Sequence, residues 1–369
     1  KNLTIGVTAQ YARNVLNDHA YWTEWIIEMC NRMPAIYKIK NEDGTYPYPS
    51  GSNSNSLERL EKGGFRKSQN DDMSGTLSAD WNIWDGLKLT LQGGARYLNN
   101  YSHENRYASE NPLSGDSENH INDSFGRYTK YTATAMLSYN KTFAKKHNVS
   151  ALVGYGYEGE HSNWFGTMRK TQDHKYDVFG GDKTGDEQLP ISNNGGANDW
   201  SLYSGFARVN YNYDEKYLFE FNLRNDYSSY FAKGNRSGIF PSLSAGWRVS
   251  QESFWDSVRP YINSLKVRGS WGLVGNNRIG SYEYMQAVSV SQGMVFDNQS
   301  VPTAGFNAVD PGIKWETTRM ADIGVDLGFL KDNLTMSFDY FNNMTRDILV
   351  NLSVPGIFGN GSPRTNAAK

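Results

Sequence analysis

The chain lacks the features that mark several common protein classes. It has one cysteine, Cys30, among 369 residues, which excludes an intrachain disulfide and a multi-cysteine zinc site within this stretch. It has no strong charge of either sign. The 37 basic and 39 acidic side chains leave −2, where a nucleic-acid binder carries a basic excess to meet phosphates. No run approaches the ~18 apolar residues of a membrane-spanning helix, and mean hydropathy is −0.66. A helical membrane protein is thereby excluded. A β-barrel is not, because only every second residue of a barrel wall faces lipid. The chain also has neither an initiator Met nor a leader, and it stops at Pro363–Lys369 without a closing element. It reads as an internal piece of a longer protein, so the missing leader says nothing of destination.

What is present is aromatic and alternating. Tyr (24), Phe (17) and Trp (10) make up 14% of the chain, too much large apolar surface for a disordered segment. Leu77, Ala79, Trp81 and Ile83 alternate with Thr76, Ser78, Asp80 and Asn82. After the tight turn Trp84-Asp85-Gly86, Leu87, Leu89 and Leu91 alternate with Lys88, Thr90 and Gln92. The same period of two runs through Tyr131–Tyr139, Val149–Tyr157, Val209–Tyr213, Tyr217–Leu223, Ile323–Phe329 and Leu334–Tyr340, the pattern of half-buried strands. About a dozen strands are expected, several reaching the roughly 9 to 11 residues needed to cross a bilayer at a tilt. One face is apolar. The other carries Asp80, Lys88, Arg208, Glu220, Arg224, Arg248, Arg268, Asp322, Asp326 and Asp339.

A soluble sandwich alternates too, but two features favour a membrane barrel. Turns at 84–86, 145–148, 214–216 and 331–333 are short, whereas the alternate connections 14–64, 105–125, 165–198 and 292–312 are long and rich in Asn, Asp, Ser and Gly. Outer-membrane barrels show this asymmetry. Trp81, Trp84, Tyr139, Tyr211, Tyr213, Tyr217 and Tyr340 sit beside turns, where an interfacial girdle lies. Two exceptions to strand are expected. Tyr21–Met33 forms a helix inside the first long loop, and a short helical connection starts near Ser250, with Ser250 or Ser253 as cap.

No motif for catalysis survives its structural requirement. Gly154-Tyr155-Gly156-Tyr157-Glu158-Gly159 fits a dinucleotide fingerprint, but that site needs a helix to begin at the glycines, and His161–Phe165 continues as strand. Small residues on a barrel wall account for the match. The six histidines (19, 103, 120, 147, 161 and 174) form no metal-binding spacing, and no G-x-S-x-G elbow occurs. Asp182, Asp186 and Glu187 lie in a Gly-rich loop without calcium-loop spacing. The sequons at Asn333 and Asn343 fall on predicted turns and strands. No catalytic, cofactor or metal residue is expected, and the chain is not expected to be an enzyme.

Four ordered segments carry a resemblance. They are Arg224-Asn225-Asp226-Tyr227-Ser228-Ser229-Tyr230-Phe231 through Asn235-Arg236 and Phe240-Pro241-Ser242 to Gly246-Trp247-Arg248; Leu265-Lys266-Val267-Arg268-Gly269-Ser270-Trp271-Gly272 through Asn276 and Ile279-Gly280; Ile313-Lys314-Trp315-Glu316 with Asp322 to Asp326; and Asp339-Tyr340-Phe341-Asn342 through Asp347-Ile348-Leu349. They resemble the SusC/RagA type of TonB-dependent outer-membrane transporters over 200–369, and more loosely over 1–199, through Gly63-Gly64-Phe65-Arg66. The resemblance implies an all-β, transmembrane antiparallel barrel, of which residues 1–369 form part of a 22-stranded whole, with plug, N-terminal extension and last strands outside this piece. It also implies an outer-membrane importer in a Gram-negative bacterium, taking up oligosaccharides or peptides. Its partners would be a SusD-like surface lipoprotein, the TonB complex and outer-membrane lipid, with dimers of transporter–lid pairs. A passive porin or a barrel anchor for surface export is the alternative. The loop aromatics Trp22, Trp25, Tyr46, Tyr48, Trp164, Phe165 and Trp200 are the candidate contacts to ligand or lid, since such rings stack on sugars or pack on proteins.

Overall fold

A computed structural model describes residues 2–48, 55–109, 111, 119–171, 177, 191–359 and 361–368. Eleven antiparallel strands form one sheet in strict chain order, apart from one hairpin set aside in a loop. They are β1 (Leu3–His19), β2 (Gly64–Trp84), β3 (Leu87–Arg106), β4 (Asn119–Phe143), β5 (His147–Thr171), β6 (Ile191–Tyr213), β7 (Tyr217–Ser228), β8 (Ser237–Trp247), β9 (Ile262–Asn276), β12 (Glu316–Phe329) and β13 (Leu334–Arg346). The hairpin β10 (Val288–Phe296) and β11 (Gln299–Phe306) lies in the connection between β9 and β12, and β14 (Ile348–Asn351) pairs with β15 (Arg364–Ala368) after β13. The sheet is an open piece of barrel wall.

Register makes the two faces continuous. One row runs Ile5↔Ala79↔Leu91↔Ala135↔Tyr155, and another runs Val209↔Phe221↔Leu243↔Trp271. Since side chains alternate strictly along a strand, the apolar residues of every strand fall on the same side. That side is solvent-accessible, with Ile5 63%, Val7 74%, Leu77 58%, Phe219 52% and Ile323 63% exposed. The opposite side carries the row Asn140↔Ser150↔Asn210↔Glu220↔Ser244↔Ser270↔Asp322. A recess of about 590 Å³ touches Asn140, Asn210, Glu220, Ser244, Arg268 and Asp322, residues of six different strands, so the polar face is the concave one.

The turns at one end are short. Asp85-Gly86 uses Gly86 at φ +84°, while Ala144, Lys145, Asp214, Glu215, Leu330, Lys331 and Asp332 adopt positive φ without being glycine. Such residues give the turn a twist that suits right-handed strands. At this end the apolar face is ringed by Trp81, Trp84, Tyr139, Tyr211, Tyr213, Tyr217 and Trp247, with Tyr217 stacked on Trp247 at 6.4 Å. Tyr340 belongs elsewhere: it pairs with Ile323 in mid-strand. A second ring, which sequence periodicity did not single out, comprises Tyr11, Tyr97, Tyr131, Tyr157, Tyr203 and Tyr227 on the same face. Tyr217 and Tyr227 are ten residues apart on β7. At about 3.4 Å per residue and a tilt of roughly 45°, the rings stand about 24 Å apart.

The other end differs from expectation. Segments 14–19, 105–106, 119–125, 165–171 and 191–198, expected as loop, are strand, and 292–312 contains most of a hairpin. β4 and β5 have 25 residues each, whereas β7 has 12 and β8 has 11. The wall is tall on one side and low on the other. Period-two alternation of small apolar and polar residues ends near the second ring, and the strands continue above it through polar, Asn-rich sequence. The expected helix is present as α1 (Thr23–Arg32), followed by α2 (Ser56–Lys62), which Asn55 caps through Leu57 and Glu58 N–H. The connection near Ser250 holds two 3-10 turns, Val249–Gln251 and Ser253–Trp255. Their caps are Arg248 and Glu252 and not the expected serines. Neither supplies a side-chain cap bond. Gly154 to Gly159 lie in mid-β5, and a side chain at Gly154 would overlap the Phe206 ring at 2.4 Å. A Cβ at Gly159 would meet the Tyr157 hydroxyl at 2.3 Å, so close packing on the wall explains Gly154 and Gly159, whereas Gly156 has room for one.

Candidate functional site on the inner wall and the loop-end rim

The concave wall is lined with charges that satisfy one another across strands. Near the short-turn end, Arg268 contacts Asp322 at 3.4 Å, Asp326 at 3.1 Å and Asp339 at 2.6 Å. Ser337 donates to Asp326. Gly324 lies beneath this cluster: a Cβ there would stand 2.6 Å from both Arg268 Cζ and Asp339 Oδ1. The glycine is therefore what lets the guanidinium lie flat across β12 to reach β13. Lys88 pairs with Asp80 at 3.1 Å, and Arg208 donates to Asn222 at 2.5 Å. Higher up, Arg96 holds Asp72 through two bonds of 3.0 and 2.6 Å. Lys130 meets Glu158 at 2.5 Å. Tyr128 donates to Glu160 at 3.0 Å, and Arg224 bridges Asp226 and Ser204. Of the charged residues expected on this face, Arg248 stands apart. It follows β8 and pairs with Glu215 in the short-turn region at 3.5 Å.

The rim over the low side is held by a small core. Phe231, Phe240, Ile279, Ile313 and Trp315 are buried together. Trp315 meets Phe231 at 5.4 Å and Phe240 edge-on at 5.3 Å, and its indole N–H donates to the Arg236 carbonyl at 2.9 Å. Gly275 and Gly238 provide the floor for Phe240, whose ring would lie 2.0 Å and 2.5 Å from a Cβ at those positions. Ser228, fully buried, accepts from Asn277 Nδ2, and Glu316 accepts from Asn276 Nδ2 and from Leu349 N–H. All four sequence segments that carry the family resemblance thus converge on this one knot. No periodicity signal could have revealed it, because its members lie in five separate stretches.

The seven candidate aromatics do not form one cluster. Trp22 is 61% exposed, with the Arg66 guanidinium 4.2 Å from its ring. Trp25 stacks on Tyr21 at 5.2 Å and packs with Ala20 and Ile26. Tyr46 is buried, donates to Glu61 at 2.5 Å, and lies under Lys40 and Lys62. Tyr48 is half-buried. The three others correct the expectation of loop residues, for Trp164, Phe165 and Trp200 are on strands β5 and β6. Trp164 is 52% exposed on the concave face. Phe165 is 56% exposed on the opposite face and packs on Phe125 at 5.6 Å. Trp200 stacks on Tyr230 at 5.7 Å. A recess of about 370 Å³ beside it is lined by Tyr157, Glu160, Trp200, Arg236, Tyr282 and Tyr284. Tyr282 and Tyr284 were not singled out in the sequence, and Tyr230 and Arg236 entered only as part of a family-like segment. In the first loop, Lys40 and Tyr46 hold the Glu61 carboxyl below its ordinary pKa, and Glu61 raises that of Lys40. Asp182, Asp186, Glu187 and His174 lie outside the described residues.

These features have relatives. The chain matches the family model described as TonB dependent receptor-like, beta-barrel, over residues 32–369. It is 34% identical over 234 residues to TonB-dependent receptor P3 of Formosa agariphila, covering 62% of this chain and 23% of that protein. It is 35% identical over 159 residues to TonB-dependent receptor SusC of Bacteroides thetaiotaomicron, covering 42% of this chain and 16% of that one. These matches thus span less than a quarter of the length of the curated relatives. The solved RagAB peptide transporter superposes with a TM-score of 0.79 at 22% identity, over 98% of this chain and 41% of that one. An open wall with one apolar and one charged face, matched along its length by that family, admits one assignment: the chain belongs to the TonB-dependent receptor-like β-barrel family.

Proposed function

We propose that this chain is part of the transmembrane wall of an outer-membrane importer in a Gram-negative bacterium. The observation that carries the reading is the pair of aromatic rings about 24 Å apart around an exposed apolar face, matching the height of the lipid-facing band of such barrels. The concave face, lined with mutually paired charges, keeps the lumen wetted while its polar groups remain satisfied. By family likeness the importer is energised through TonB and carries a plug in a part of the protein outside this piece. A SusD-like lipoprotein covers the loop end, and transporter–lid pairs assemble as dimers. The cargo is an oligosaccharide or a peptide. Trp22, Trp164 and Trp200, with Tyr230, present the ring surface at the loop end that suits such cargo.

The test uses the full-length gene. Deleting it abolishes growth on the cognate oligosaccharide or peptide mixture, and restoring it in a strain without TonB leaves growth absent. Growth that returns without TonB overturns the active-import reading and leaves a passive pore.

A further inference from the structure

Among the described residues, the step in wall height leaves a strand edge without a pairing strand. β6 pairs with β5 from Ile191↔Arg169 downwards, but with β7 only from Leu202↔Ser228 to Tyr213↔Tyr217. At the top of β7, Ser229 N–H donates to the Ser201 carbonyl and Ser201 N–H donates to Ser229 Oγ. The main-chain groups of Ser201 therefore point towards β7. By the alternation of an antiparallel ladder, those of Asn193, Gly195, Ala197 and Asp199 point the same way. Among the described residues no strand pairs with them. Eight backbone groups stand in a row about 20 Å long.

Natural edge strands are guarded by lysine, proline or a bulge. This one, Ser192-Asn193-Asn194-Gly195-Gly196-Ala197-Asn198-Asp199, has no lysine or proline and one charge, Asp199 at its lower end, and its register with β5 is unbroken. Its side chains are small, so the aromatics of the neighbouring strand reach past them. A Cβ at Gly196 would meet the Trp164 indole at 3.2 Å, and one at Gly195 would meet Phe165 Cβ at 3.3 Å. One exposed ring is thus offered on each face of the open edge, and the recess beside Trp200 lies at its lower end.

We propose that this edge receives an extended segment of the surface protein that covers the loop end, by strand addition; the proposal rests on the reading of the chain as a lidded importer. An added strand continues the wall above β7 and fills the notch. Its alternate side chains lie over Gly195 and Ala197 on one face and Gly196 on the other, against Phe165 and Trp164. A resident partner suits the site better than cargo. Up to eight main-chain bonds, each worth about 0.5–1.5 kcal/mol net, favour a lasting contact, and imported cargo must leave.

The experiment is hydrogen–deuterium exchange on the full-length transporter from native outer membranes, alone and with its co-purifying lipoprotein. The expected result is that the 192–200 segment retains about four more protons in the complex. Exchange through 202–213 should be unchanged. In parallel, Ala197→Pro removes one outward N–H at an edge position that tolerates proline and lowers the recovered lipoprotein about tenfold or more. Asp199→Lys, which leaves the backbone free to fold, lowers it in the same direction. Exchange at 192–200 that is equally fast with and without the lipoprotein overturns the proposal. So does protection already complete in the transporter alone, which would assign the edge to another part of its own chain. Protection that appears only on adding cargo peptide assigns it to cargo. If no lipoprotein co-purifies at all, the importer-with-lid reading fails first, by a separate observation.

Discussion

Replacing Trp315 by alanine tests whether the buried knot at the rim is what fastens the loops to the low side of the wall. The indole is 8% exposed, touches two rings and donates to the Arg236 carbonyl, which also accepts from Ser228 N–H. Truncating a buried Trp costs about 3–5 kcal/mol, a range that already includes the lost ring contacts. The wall below is held by its own strand ladders, so the loss falls on local opening of 228–236 and 313–316 and not on global unfolding. At about 1.4 kcal/mol per power of ten, exchange of protected amides such as Ser228, which donates to Arg236, accelerates by about two to three and a half powers of ten. Amides in mid-β4 and mid-β5 keep their rates. Trp315→Phe retains most of the packing and loses only the bond, with an acceleration of about tenfold. The measurement is amide exchange on the full-length barrel in detergent. Unchanged exchange at Ser228 in Trp315→Ala would refute the argument and leave the loops held by something other than this core.

Three further outcomes are expected. Gly275→Ala drives a Cβ into the Phe240 ring, 2.0 Å away, and costs about 1–3 kcal/mol, read as faster exchange of the same rim amides. Phe221→Arg places a charge in the apolar band and costs about 2–4 kcal/mol of folding stability in bilayers. Its neighbour Asn222→Arg, on the concave face, costs far less, and equal losses for the two would contradict the assignment of faces. The third concerns pH: the Glu61 carboxyl has a lowered pKa in the folded loop through its bonds from Lys40 and Tyr46. Its contribution is present above the unfolded value of about 4.3 and is lost as pH falls through the folded value. Limited proteolysis of segment 38–62 in the intact protein accelerates below about pH 4, and Glu61→Gln shows that acceleration already at pH 7.

Alternation between turns was enough to define most of the wall, because a strand with one apolar and one polar face leaves a period of two in the sequence. It assigned Asp80, Lys88, Arg268, Asp322 and Asp326 to their face without coordinates. It failed above the second aromatic ring, where both faces are polar and Asn193-Asn194-Gly195-Gly196 reads as loop although it is strand. Cross-strand pairing holds such a segment extended, and pairing is invisible to local propensity. The candidate ring residues were chosen by type and presumed loop position. Tyr46 illustrates why that choice was blunt, for its exposure depends on Glu61 and two lysines that only the folded loop brings together. The knot around Trp315 was visible as motif but not as mechanism, since its contacts span residues 228 to 349.

The strict chain order of the wall has a consequence for how such proteins change size. Within the eleven-stranded sheet every strand pairs only with the strands before and after it, and the pairs β10–β11 and β14–β15 stand outside it. Circumference can therefore grow or shrink in steps of one up-and-down pair, at any short turn, without disturbing the pairing of the others. Two neighbouring strands cut from one family member and spliced into another bring their inner-face charges and their share of both aromatic rings with them. The wall behaves as a fence of interchangeable panels, while the rim that fastens the loops is specific to its place.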